Sequence, residues 1–518
     1  MALTYQSPVA GAGAESLWAF AARASTGAAP EPGFPERSSG QDAGARLRGS
    51  PAGNGRGLFV LVLLLFGLNV LLHYPGTMSS DSNYQYEEVI SGHVTDWHPP
   101  VMVWLWSLLR FFGDGPAPLL LLHLALYWCG FGLLADAVRR SGHPRTALLM
   151  ALAGAFPPFI HINANVIKDV GMVSSWIAAF GLMYWFRVQD RRVPVLWGLV
   201  IAVLTAYGTL VRGNALFALG PFLLYALGPT SWLRSVRLMA AAVVIAVLAI
   251  PLTQQINRWL FNPVPTYPAH SLFLFDLAGI AAHERDPSLL EPRATLDVAG
   301  LKACYTPYWW DSFSPWGRCS SSVNRADGSR AGLREGLEKQ WLTTIIEHPL
   351  AYAIHRLKHF NSSLLFAVPL KHNRLAPEYR SDDPAYTPLE VTTERDIELD
   401  LLRKNPFVWP VTWLVWGAFL LAIASRLPPA ATVFFARVLI VSALGYSGAY
   451  LVIGVATDLR YHYWTLIAVL VATLLLLPQL AQGLRDRSRP VLAGLCAVAL
   501  TVAIGLATRL LDFQAFAA

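Results

Sequence analysis

Membrane-length apolar runs recur along this chain, at 57–73, 117–138, 144–161, 166–187, 194–211, 213–229, 236–260, 406–425, 438–456, 462–480 and 490–511. A helix of roughly 20 apolar residues crosses about 30 Å of hydrocarbon, and lipid tolerates only backbone that satisfies its own hydrogen bonds. The runs therefore predict an all-α polytopic membrane protein with about 11 transmembrane helices. Composition agrees: 54% of the residues are hydrophobic and 14% charged, where a soluble domain carries about 25% charged residues. The formal charge of +7 does not mark a nucleic-acid binder, because Lys and Arg sit in short clusters between apolar runs, the pattern that sets membrane topology.

The clusters also orient the chain. Segment 99–113 is too short to cross, since about 14 helical residues rise only about 21 Å. If it stays at the interface, Arg139, Arg140 and Arg145, then Arg187, Arg191 and Arg192, then Arg234 and Arg237, then Arg426, then Arg485, Arg487 and Arg489 share one side with the Arg-bearing tail. That is the positive-inside arrangement, with a cytoplasmic N-terminus and an external C-terminus. Residues 1–56, rich in Ala, Gly, Ser and Pro, read as a disordered cytoplasmic tail, too poor in apolar surface to fold. An N-terminal transmembrane module follows at 57–260. An external (periplasmic), mostly α domain at 261–405 is inserted before the last four helices, which occupy 406–518. Helices are expected within that domain at 332–346 and 350–366. The expected setting is the bacterial inner (cytoplasmic) membrane, with the active site facing the periplasm.

Segment 74–100, YPGTMSSDSNYQYEEVISGHVTDWHPP, is longer and more acidic than a hairpin between two spans requires, and long loops of this kind usually carry function. Asp81 has two readings. It belongs to a capping sequence in which Ser82 and Gln85 fit a capping box, and it is a carboxylate suited to deprotonating an acceptor hydroxyl. Asp96 and His98 stand where the loop returns to the membrane, fixed at the mouth of the next helix by Pro99 and Pro100. Asp81, Asp96 and His98 lack a dedicated ligand spacing, and neither HExxH nor CxxC occurs; no metal site is predicted, and a divalent metal stays open as a cofactor.

Cations occupy the other joins on the external side. Lys168 and Asp169 begin a span and read as a simple interfacial pair or a functional one. Arg212 lies between two spans with little polar company, and Arg460 lies in DLRYHY. A charge at membrane depth costs about 2.5–3.5 kcal/mol even on the lenient insertion scale, and an anion such as a lipid phosphate is the economical partner for Arg212. Cys129 and Cys496 fall inside apolar runs. Cys304 and Cys319 bracket an external loop and are expected to form a disulfide. His355 and His359, in HRLKHF, share a helical face that reads as a basic amphipathic helix on anionic lipid or, less economically, as a zinc site. Trp309, Trp310 and Trp316 fit the same surface or wall an acceptor site.

These motifs resemble the C-type glycosyltransferases, closest to the protein O-mannosyltransferase and lipid A aminoarabinose transferase types. The likeness lies in YPG with a following acidic residue in the first external loop, in HPP, in a late external domain and in the RY-containing motif before the last spans, and it covers roughly 57–480. The resemblance implies a hexosyl- or pentosyltransferase. It would move a sugar from polyprenyl monophosphate, on the external face and with inversion, to an envelope glycan, lipid or protein acceptor, with membrane lipids around it and no nucleic acid. It implies Asp81 as base, His98 near the donor phosphate, Lys168, Arg212 and Arg460 as phosphate ligands, and Tyr461 and Tyr463 at the donor groove. The protein mannosyltransferases place an acidic pair in this loop, whereas Ser82 follows Asp81 here; either Asp96 supplies the second carboxylate or the acceptor chemistry differs. The rival readings are a transporter or flippase of lipid-linked glycans, which would show internal repeats, and a polysaccharide polymerase.

Overall fold

The computed structural model describes residues 55–228, 231–290, 296–315, 317–320, 336–369 and 405–511, all within one compact unit, Gly53–Ala518. Nearly all of the expected 1–56 tail, and Trp316, lie outside the described residues. Among those residues the fold is helical, and β pairing is confined to two isolated bridges, Thr77 with Asn165 and Thr95 with Val264.

The first half runs α1 (Gly55–His73), α2 (Ser80–Ser91), α3 (Pro100–Leu109), α4 (Ala117–Arg140), α5 (Pro144–Ala153), α6 (Pro157–Asn163), α7 (Lys168–Arg187), α8 (Val195–Val211), α9 (Leu216–Leu227), α10 (Val236–Leu248) and α11 (Ile250–Phe261). A cap follows with α12 (His270–Glu284), α13 (Val298–Cys304), α14 (Leu337–Glu347) and α15 (Pro349–Ser363). The chain closes with α16 (Pro410–Ala424), α17 (Ala431–Ile453), α18 (Tyr463–Leu475), α19 (Leu477–Arg485) and α20 (Arg489–Leu510). Every predicted apolar run holds a helix or a bent pair. By length and composition 4 helices (α1, α4, α17 and α20) can cross a membrane alone, or up to 8 spans result if each bent pair counts as one. Helix α3 is short, as its length in residues foretold.

Helix α7 is enclosed by protein almost throughout, with Trp176, Ala179 and Tyr184 fully buried. Small residues let its neighbour α4 approach: a Cβ on Gly130 would stand 2.6 Å from the backbone of Ile177, so the two backbones meet as small-residue crossings in membranes do. Helix α1 shows the opposite character, with Phe59, Leu64 and Leu71 exposed; such a face suits lipid and not water.

The cap has its own core, with Leu274, Phe275, Leu277, Leu301, Phe313 and Leu337 buried together and Trp97 and Val455 packed against it. Cys304 and Cys319 are joined by a disulfide. The helix expected over 350–366 is α15, and its basic stripe faces inward: His355, Arg356 and His359 are buried. That corrects the reading of this helix as a lipid-lying one. Asp276 on α12 lies 3.2 Å from His355 and 2.5 Å from Arg356, and buried charge of this kind persists only when paired.

Candidate active site

Helix α2 delivers Asp81. Its first turn is stitched at Ser79, whose N–H donates to Ser82 Oγ at 3.3 Å; Ser79, not Ser82, is therefore the N-cap. The Ser82 hydroxyl donates to the Val166 carbonyl at 2.8 Å, while Thr77 N–H donates to the Ala164 carbonyl at 2.8 Å and Val166 N–H to the Thr77 carbonyl at 3.0 Å. These bonds tie the 74–100 loop to the join ahead of α7 and set Asp81, in a first turn whose dipole favours a carboxylate, beside Lys168.

Side chains from three distant stretches meet there. Arg460 Nη1 lies 3.0 Å from Asp81 Oδ2, Lys168 Nζ 3.6 Å from the same oxygen, and His98 Nε2 3.9 Å from Oδ1. His98 Nδ1 is 2.9 Å from Lys168 Nζ and so serves as the acceptor, because an ammonium only donates. Arg460 reaches Asp458 at 3.3 Å with its other terminal nitrogen. Burial would raise the Asp81 carboxyl, but Lys168, Arg460 and His98 hold it well below the ordinary carboxylate value. For His98, burial and the Lys168 charge outweigh Asp81 and push the imidazole down to about 3, so it is neutral. The Asp81 side chain remains 30% exposed among partners exposed by 15% or less, which leaves it open to a reactant.

Arg212 joins through an aromatic wall. Its guanidinium lies 4.9 Å from the Tyr461 ring centroid and that of Arg460 5.3 Å from the same ring; Tyr450 stacks on Tyr461 at 5.5 Å. Arg212 also donates to Tyr450 Oη at 3.0 Å, Asn214 Nδ2 donates there at 2.6 Å, and Asp169 Oδ1 sits 3.1 Å from Arg212. Arg212 thus has ample polar company, contrary to expectation, and Asp169 pairs with Arg212 and not with its sequence neighbour Lys168. Consecutive residues at a helix start point about 100° apart, which sends Lys168 to Asp81 and Asp169 to Arg212. Asp169, Asp458, Tyr450 and Asn214 are members that the sequence reading left out of the site; the two carboxylates lie within two positions of residues it named.

Two predicted residues stand elsewhere. Asp96 accepts from Thr266 N–H at 2.5 Å and Thr266 Oγ1 at 2.7 Å, with Arg258 at 4.0 Å; it clamps the loop end to the chain entering the cap and does not form a carboxylate pair with Asp81. Tyr463 is buried with its hydroxyl on Asn163 at 2.8 Å and its ring on Phe159 at 5.5 Å. It begins α18, where a step of two residues turns it away from Tyr461 into the bundle. Among the described residues no three His, Cys, Asp or Glu side chains come together as metal ligands, and the neighbours of Asp81 are cations; the residues present do not fit a divalent metal. The same holds for zinc at His355 and His359: His355 is engaged by Asp276 and by Tyr305, and His359 by the Pro307 carbonyl.

Residues 97–253 match the family model of dolichyl-phosphate-mannose-protein mannosyltransferases, a stretch that carries His98, Lys168 and Arg212. The likeness to the C-type glycosyltransferases found in the motifs is met there. Among solved structures, the crystal structure of ArnT from Cupriavidus metallidurans bound to undecaprenyl phosphate aligns at 13% identity over 84% of this chain and 79% of that chain, with a TM-score of 0.28. No curated protein matches.

Proposed function

From that similarity to the mannosyltransferase family, we propose that this protein is an integral-membrane glycosyltransferase of about 11 spans. It moves a sugar from a polyprenyl monophosphate to an acceptor hydroxyl on an envelope glycan, lipid or protein, at the external face of the bacterial inner membrane. The observation that carries the reading is the meeting of Asp81 with Lys168 and Arg460, next to Arg212, in one half-open cluster.

The reaction is a single inverting displacement. The acceptor oxygen bonds to the anomeric carbon as the bond from that carbon to the phosphate oxygen breaks, the acceptor proton passes to Asp81, and polyprenyl phosphate leaves with one more negative charge than the donor phosphodiester carried. Lys168, Arg212 and Arg460 meet that growing charge, the kind of preorganised stabilisation that dominates such reactions. His98, neutral and accepting from Lys168, orients the ammonium. Tyr461, clasped by both guanidiniums, holds them a ring apart.

Without donor, Asp81 is clamped by two cations and is a weak base. A donor phosphate competes for Lys168 and Arg460, and as they turn to it the carboxylate regains basicity. Base activation therefore follows donor binding.

The test is transfer from a radiolabelled polyprenyl-phosphate sugar in membranes carrying wild type or Asp81→Asn. Loss of about 10²–10⁴-fold in rate is the expected result for a missing general base. Equal turnover by the variant removes Asp81 from that role, and absence of turnover by wild type with any such donor overturns the glycosyltransferase reading.

A further inference from the structure

The cap holds a cavity of about 260 Å³ between α12, α13 and α15, apart from the Asp81 cluster and unused by the chemistry above. His283 and Arg285 come to it from the end of α12, Lys302 from α13 and Lys358 from α15, over a floor that includes Tyr305 and His355. Among the described residues no carboxylate lines it. Of the described acids nearby, Glu284 faces His348 at 3.6 Å, Asp286 accepts from Ser288 N–H at 3.0 Å, and Asp276 lies against His355 and Arg356. Among the described residues the side chains of Arg285, Lys302 and Lys358 have no ion pair or hydrogen bond.

The floor is fixed: His355 Nε2 lies 3.2 Å from Asp276 Oδ1 and its Nδ1 is 2.9 Å from the Tyr305 hydroxyl. A Cβ on Gly279 would come within 2.0 Å of the His355 ring, so glycine is what lets the imidazole lie there. Three like charges share one concavity whose described lining holds no carboxylate, and an incoming anion relieves their repulsion. A guanidinium fork flanked by ammonium groups matches phosphate in shape and charge.

The cavity is tied to the catalytic loop by a short path. Just beyond Tyr305, Trp310 donates its N–H to the Val455 carbonyl at 2.9 Å and sets its ring 6.0 Å from Trp97, next to His98.

We infer that the cavity rimmed by Arg285, Lys302 and Lys358 is a second phosphate-binding site, which takes a phosphate group of the acceptor. Assignment of that phosphate to the acceptor rests on the transferase reading; the binding itself does not.

The experiment is equilibrium uptake of inorganic phosphate and glucosamine 1-phosphate by the full chain in phosphatidylcholine nanodiscs, with uncharged glucosamine as reference. Wild type binds both phosphate probes and not glucosamine. Lys302→Gln/Lys358→Gln weakens uptake by about tenfold or more, since a charge-assisted bond contributes about 1.5–3 kcal/mol and 1.4 kcal/mol is tenfold; the exposed Arg285→Gln does the same should the double variant fail to fold. Adding phosphatidylglycerol to the discs distinguishes the source: competition with the soluble probe identifies a lipid headgroup, and unchanged uptake identifies a glycan phosphate. Lys168→Gln, which weakens the donor pocket's own hold on an anion, keeps the uptake. Equal uptake by wild type and a folded rim variant overturns the site, as does loss of uptake in a folded Lys168→Gln, which would put the anion in the donor pocket. Failure of transfer with every donor would sink the enzyme reading and leave this binding intact.

Discussion

In the proposed mechanism Asp81 is the residue on which the chemistry turns, and its charge state is set by what surrounds it. Its carboxyl is lowered well below its ordinary value, so its contribution to stability is complete above the unfolded value of about 3.9 and is lost only as pH falls through the lower folded one. His98 is shifted in the same direction, over a higher pH window. Held neutral down to about 3, it stabilises fully above about 6.5, and that contribution declines as acid protonates the unfolded chain. The pH profile of kcat/KM is therefore expected to show no acid limb between pH 5 and 7 from either group. A limb near 6.5 that disappears in His98→Gln would mean the imidazole carries a proton in the free enzyme.

Asp169 makes a second residue-scale case. Asp169→Asn strips the buried Arg212 guanidinium of its counter-charge, and breaking such a pair costs about 3–5 kcal/mol. The variant should melt earlier and bind donor more weakly. An Arg212→Gln/Asp169→Asn double variant, which leaves no orphan charge, should recover part of the lost stability without recovering turnover; thermal unfolding and transfer assays on the three proteins read this directly.

At the scale of elements, α2 acts as an arm pinned at its root. Ser82→Ala removes the bond to the Val166 carbonyl and two to Ser79, at a cost of about 1 kcal/mol for each net bond. Because those bonds aim Asp81, kcat should fall more than KM rises, and a variant that only melts earlier at full kcat would show that aiming does not depend on them. The elements were legible in the sequence because apolar runs and Pro-marked starts are local signals. The directions of single side chains were not. Tyr463 looked like a partner of Tyr461, yet helical phase turns it into the bundle. HRLKHF looked like a lipid-facing stripe because the Asp276 that neutralises it lies far upstream on another helix. Asp96 looked like a second catalytic carboxylate because Thr266, which holds it, follows in a different segment. The cluster of Asp81, Lys168, Arg212 and Arg460 was legible for the complementary reason: charges that interrupt apolar joins have few places to go.

For the whole molecule, the proposed topology puts the cap and the Asp81 cluster outside and the Arg clusters inside. With Cys129 and Cys496 replaced by Ser, a membrane-impermeant maleimide should label Ser288→Cys in intact spheroplasts and reach Arg192→Cys only after lysis. The reverse pattern would invert the protein. The Cys304–Cys319 disulfide, closing a sequence separation of 15, should contribute about 3 kcal/mol to the cap. Cys304→Ser is expected to make α13 protease-sensitive while the bundle persists.

Arg460, which grips Asp81 and Asp458 together, also has a bearing on biosynthesis. On the proposed topology it leaves the ribosome long after the carboxylate on α2 has been translocated, so until then Asp81 has only Lys168 and His98 for company. A nascent chain halted ahead of Leu459 carries an incomplete, unclamped pocket. Its assembly waits for Arg460 to emerge, and quality control would then have a simple chemical mark of an unfinished molecule: an acid still waiting for its guanidinium.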